Sequence, residues 1–98
     1  MNMERIPEKY QKDIKKAANL LKGEGCKSVF LFGSMVTGKI RADSDIDIGI
    51  SGLSPNKFFR VSACLDRELS NKVDLVDFDL QKDFYTLLNS LGEVVEIG

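Results

Sequence analysis

The sequence has no histidine and no tryptophan, only two cysteines and two prolines, and no apolar run longer than Val29 to Phe32. Without histidine, Ser-His-Asp triads, imidazole general bases and histidine-ligated zinc are all excluded. Cys26 and Cys64 stand far apart and read as reduced, partly buried small hydrophobes rather than as a disulfide framework. A bilayer span needs about 20 apolar residues, and no charged segment leading into an apolar stretch opens the chain, so the protein is expected in the cytoplasm with no membrane partner. An excess of one charge is also lacking: 14 Lys and Arg against 15 Asp and Glu leave a net charge of -1. That balance gives no overall footprint for a nucleic-acid polymer, and direct nucleic-acid binding is not expected. Any chemistry must therefore run on carboxylates, hydroxyls, lysines and backbone amides.

What is present is enough for one folded domain: 98 residues, 43% of them hydrophobic and 30% charged, within the usual size of a single core. The expected domain spans 1–98. Tyr10, Ile14, Ala17, Ala18 and Leu21 recur three or four residues apart between lysines, the stripe of an amphipathic helix, with Pro7 suited to its first turn and Gly23 and Gly25 stopping it. Ser28 to Phe32 is a short β-branched and aromatic run, as in a central strand. From Asp45 to Ile50 the alternation is strict, with Asp45, Asp47 and Gly49 on one face and Ile46, Ile48 and Ile50 on the other. Phe58 to Leu69 carries a second helical pattern, Val73 to Phe78 a third strand, Phe84 to Leu91 a last helix ended by Gly92, and Val94, Val95 and Ile97 a final strand. This alternation predicts an α/β (α+β) domain, a small mixed sheet flanked by helices.

Three features carry chemistry. Asp45 and Asp47, one residue apart on a strand, point the same way with Cα atoms about 6.6 Å apart. Two carboxylates about 5 Å apart at an effective dielectric near 20 repel by roughly 3 kcal/mol, which a cation such as magnesium would relieve; solvated aspartates on an open sheet face are the other reading. Asp43 extends the run, but Ile48 and Ser54 stand where a calcium loop needs glycine and glutamate, so Asp43 belongs to the preceding loop. Gly33 and Ser34 follow a buried strand, where glycine admits a close approach and serine could cap a helix starting near Met35, presenting N–H groups to an anion. Neither a Walker A nor a Rossmann fingerprint occurs. Gly38 gives the loop a second flexible point before Lys39 and Arg41, whose charges could meet a triphosphate or simply be solvated.

The combination of strand, Gly33-Ser34, loop and Asp45-Ile46-Asp47 opening a second strand, with an acid in a third, resembles the signature of the polymerase-β-like nucleotidyltransferase superfamily. The whole short chain is similar to its minimal nucleotidyltransferase (MNT) branch. The resemblance implies that Gly33, Ser34, Gly38 and Ser44 form the nucleotide-binding loop and that Asp45, Asp47 and Asp74 are catalytic and hold two Mg2+ ions; Lys39 and Arg41 are candidate nucleotide-binding residues that could substitute for a loop arginine. It also implies that Asp74 draws the acceptor proton. Asp74 is preferred over Asp77 and Asp79 as third carboxylate, on the expectation that an acid between Val73 and Leu75 is buried and needs a ligand. Relatives often carry arginine where this chain has Thr37.

The implied activity is transfer of a nucleoside monophosphate, AMP from ATP or another NTP, to a hydroxyl. The sequence is used up by the catalytic core, and the resemblance names a helical HEPN toxin as partner and a tyrosine of it as acceptor. The alternative is a non-catalytic module that neutralises a helical partner by contact. Phe58, Phe59, Phe84 and Tyr85 could supply contact area, although most are expected in the core.

Overall fold

The structure, a computed structural model, describes residues 5–98. Its first helix, α1 (Glu8–Gly23), begins after Pro7, which stands at the cap position rather than within the first turn. Tyr10, Ile14, Ala17 and Leu21 are buried along one side of α1, as the spacing predicts. The chain then runs through β1 (Ser28–Phe32), α2 (Ser34–Thr37), β2 (Ile46–Ser51), a 3-10 turn at Pro55–Lys57, α3 (Phe58–Glu68), β3 (Val73–Asp77), α4 (Lys82–Ser90) and β4 (Val94–Glu96). This is the mixed α+β fold expected, although Asp45 lies just before β2 rather than opening it.

The sheet order is β3-β2-β1-β4, with β1 antiparallel to β2 and β4, and β2 parallel to β3. A parallel pair needs a crossover, and α3 supplies it. The isoleucines Ile46, Ile48 and Ile50 are wholly buried and join Val29, Leu31 and Val73 against Ile14 and Leu21 of α1 and Val61 and Leu65 of α3. Each such side chain contributes about 1.5–3 kcal/mol when fully buried. Across the sheet, Phe30, Phe32, Val76, Phe78 and Val94 pack on Phe84, Tyr85 and Leu88 around α4. Phe78 sits 5.1 Å from Tyr85 and Phe32 meets Phe84 edge-on at 5.6 Å, geometry that aromatic pairs favour. Gly49 makes this cluster possible, because a Cβ there would run into the Phe78 ring.

Both cysteines are free, Cys26 buried and Cys64 half-buried. Of the four aromatics weighed as contact surface, Phe58, Phe84 and Tyr85 pack against the two clusters. Phe59 does not: it is 83% exposed, because it follows Phe58 directly and a helix turns adjacent residues to different sides.

One buried charge organises the approach to β3. Asp13 of α1 accepts hydrogen bonds from the backbone N–H of Asn71 at 2.7 Å and from Asn71 Nδ2 at 2.9 Å, while Asn71 Nδ2 also lies 3.1 Å from the Lys9 carbonyl. The turn that launches β3 is thereby tied to α1. Replacing Asp13 with alanine would strand the Asn71 N–H in a part-buried place, at a cost of about 1–3 kcal/mol. Urea denaturation of Asp13→Ala is expected to show that loss, and a midpoint equal to wild type would contradict this anchoring.

Candidate active site

The strand register creates a row of side chains across one face of the sheet. Phe32 pairs with Val94 on one side and Asp47 on the other, and Asp47 pairs with Asp74. Residues paired across neighbouring strands share a face, so Val94, Phe32, Asp47 and Asp74 stand side by side, with Asp45 two residues before Asp47. The aromatic cluster walls this row on one side. Asp47 is half-buried there, whereas the side chains of Asp45 and Asp74 are 39% and 50% exposed.

Burial, and then the charges of Asp74 and Asp45, push the Asp47 carboxyl up to about 6. Both causes disfavour the ionised form, and a bound cation would reverse the second. All the donors are hard carboxylate oxygens, the set that suits magnesium or calcium. Among the described residues no three such groups converge on one point as a closed metal cluster. The donor chemistry fits a divalent ion.

Gly33 lies directly beneath this row. It precedes α2 with φ 73° and ψ −142°, a conformation that costs an L-residue strain, and a Cβ built on it would collide with the Asp47 carboxylate. The loop backbone and the aspartate are thus in contact as the chain stands, and glycine is required twice over. Ser34 was expected to cap the helix; instead Gly33 takes the cap position and Ser34 is the first helical residue, with no side-chain cap bond. One turn later Gly38 ends α2 in a left-handed conformation.

The loop from Gly38 to Asp45 is held from two directions. Ser44 Oγ accepts the Arg41 N–H at 2.6 Å, and Tyr10 Oη of α1 donates toward the carbonyls of Arg41 and Ala42 at 3.2 and 3.3 Å. Ser44 therefore shapes the loop that delivers Asp45. Lys39 and Arg41 are exposed and form no ion pair among the described residues. Asp43 sits in a turn of this loop, as its spacing implied.

Two sequence expectations change at β3. Asp74 shares the row as expected, but it is exposed rather than buried among hydrophobes, because β3 is an edge strand. The buried acid is Asp77, which is on the opposite face and whose Oδ1 accepts the Asp79 N–H at 2.9 Å. Asp79 is likewise engaged, accepting the Gly52 N–H at 2.7 Å. The residue that sequence reasoning missed is Lys72, whose Nζ lies 3.8 Å from Asp45 Oδ2 and 4.0 Å from Asp74 Oδ1. Once Asp47 is set beside Asp74, period two alone places Lys72 beside Asp45.

The Asp47 shift predicts a pH dependence of stability. The folded protein holds a proton on Asp47 that the unfolded chain releases near 3.8, so this group's stabilisation is complete below that pH and is lost as pH rises through about 6. In divalent-free buffer the melting temperature of Asp47→Asn minus that of wild type is expected to grow between pH 4 and 6.5. A flat difference would contradict the shift.

The polymerase beta nucleotidyltransferase family model matches residues 12–94. Among solved structures, a chain of a toxin-antitoxin structure with AMP-PNP is 30% identical over 70% of this chain, with a TM-score of 0.55. A chain of the toxin-antitoxin MntA-HepT is 27% identical over 70% of this chain, at a TM-score of 0.52. A chain of the tri-AMPylated Shewanella oneidensis HEPN toxin in complex with MNT antitoxin is also 27% identical over 70%, at 0.51. This chain covers 57%, 56% and 56% of those three chains respectively. No curated protein matches it.

Proposed function

The chain belongs to the polymerase-β nucleotidyltransferase family, and from that premise we propose that it transfers AMP from ATP, or the corresponding group of another NTP, to a hydroxyl of a partner protein. The observation that carries this reading is the contact between Gly33 and Asp47 within the row that also holds Asp74. A backbone able to approach phosphate oxygens and a set of carboxylates able to hold their counter-cations then lie within one side chain of each other.

In this reading Gly33, Ser34, Gly38 and Ser44 form the nucleotide loop, with Lys39 and Arg41 as further contacts for a triphosphate. Asp45, Asp47 and Asp74 would hold Mg2+, two ions in the full complement, which would supply Lewis-acid activation of the acceptor oxygen and neutralise charge on the leaving pyrophosphate. Phe32 and Phe84 exclude water from one side of the row, and α2 and its tethered loop fix the other. The acceptor oxygen forms a bond to the α-phosphorus, the bond from that phosphorus to pyrophosphate breaks, and Asp74 takes the acceptor proton. The exposure of Asp74 suits that role, since an acceptor must reach it from solvent.

The proposed acceptor protein is a HEPN toxin, because two of the structures this chain resembles are of toxin-antitoxin complexes and a third contains an AMPylated HEPN toxin; the acceptor group is the tyrosine that the family resemblance implies. AMP adds a phosphate charge that would repel an RNA substrate from a nuclease site. The protein would act in the cytoplasm as one minimal nucleotidyltransferase domain; none of the described helices is long and apolar enough to cross a membrane. Neutralisation by contact is the second reading, favoured by the exposed Phe59 and Leu80.

Incubating the HEPN partner with ATP, magnesium and this protein is expected to add AMP to the partner, read by intact mass. Asp45→Ala and Asp47→Ala are each expected to slow that gain by on the order of 100-fold or more, while leaving the partner bound. Binding with no mass gain in any arm would leave neutralisation by contact and remove the transferase reading.

A further inference from the structure

We propose that Lys72 is a resident counter-cation of the carboxylate row, holding Asp45 and Asp74 toward itself and competing for them with a divalent ion. The inference rests on the metal-binding reading of those aspartates and goes beyond it by assigning a residue that sets the ion's affinity.

Backbone pairing fixes where the lysine stands. The Ile46 N–H donates to the Lys72 carbonyl at 2.9 Å, which places Lys72 beside Asp45, and as the residue two before Asp74 it shares that side chain's face. Its stem starts from a held point, because the preceding residue, Asn71, is bonded to the buried Asp13. From there Nζ reaches 3.8 Å from one carboxylate and 4.0 Å from the other. Asp47 is not part of this bridge.

The Lys72 side chain is 70% exposed, so it can swing into water at little cost, as exposed ion pairs are weak. A divalent ion held by Asp45 and Asp74 would be repelled by the ammonium that both carboxylates face. In a water-like dielectric that repulsion is worth roughly tenfold in affinity, and salt lowers it to about three- to tenfold.

Manganese binding tests this directly, by calorimetric titration of the full chain with Mn2+ alone. Lys72→Met is expected to bind Mn2+ about three- to tenfold more tightly than wild type. It should also melt lower than wild type without divalent ions and level with it in saturating Mn2+. Lys72→Arg, which keeps the charge, is expected to bind like wild type, and Lys72→Gln serves as a second neutral variant should the methionine protein fold poorly. Equal or weaker Mn2+ binding by the neutral variants would overturn the role of Lys72 while leaving the metal site standing. Absence of Mn2+ binding by every protein, wild type included, would instead remove the metal-site reading and this inference with it.

Discussion

Like-charge repulsion among Asp45, Asp47 and Asp74 is the constraint around which the remaining parts of this molecule are arranged. Burial of Asp47 leaves that repulsion poorly screened in the middle of the row, whereas solvent screens it at the more exposed carboxylates of Asp45 and Asp74. The fold does not let them escape one another. Asp47 sits on a strand hydrogen-bonded on both sides, with its isoleucine neighbours sunk in the core, so a one-residue slip would turn every one of those isoleucines outward. The pairing of Asp47 with Asp74 is thus enforced by hydrophobic burial on the other face of the same sheet. The repulsion is relieved in part by the raised Asp47 carboxyl, in part by Lys72, and in the proposed reaction by divalent ions.

The supporting structure follows from that strain. Asp13 and Asn71 hold the turn before β3, and Tyr10 and Ser44 hold the loop before β2. Both tethers reach back to α1, which packs against the isoleucine face of the sheet and fixes both strands' approaches to the row. Gly33 closes the arrangement from below. Because the glycine both adopts a positive φ and leaves no room for a Cβ beside Asp47, loop and carboxylate are positioned by one shared constraint.

Much of this was legible in the sequence, and what was not has identifiable physical causes. The period-two run from Asp45 to Ile50 correctly separates the acidic face from the core face, and the spacing from Tyr10 to Leu21 correctly gives the buried side of α1. Such patterns are local, and local periodicity survives folding. Pairing between strands far apart in the chain leaves no such trace, which is why Lys72 went unassigned and why Asp74, read as buried between Val73 and Leu75, proves to lie on an exposed edge strand. α2 is too short to show a helical period, so whether Gly33 or Ser34 caps it could not be read. Most of the four candidate contact aromatics pack in the core as expected, and only the structure shows that Phe59 is the one turned outward. The site residues themselves came from motif spacing and resemblance; the structure brings Gly33 against Asp47 and sets Asp74 beside Asp47.

The central claim is that one cation-binding site lies over the row formed by Asp45, Asp47 and Asp74, against Gly33. Paramagnetic broadening of backbone amide resonances by substoichiometric Mn2+ tests it most directly. The account predicts that the amides of Gly33, Asp47 and Asp74 broaden first and that those around Asp77 and Asp79 stay sharp. Broadening centred on that second group, or spread evenly over the acidic surface, would contradict it.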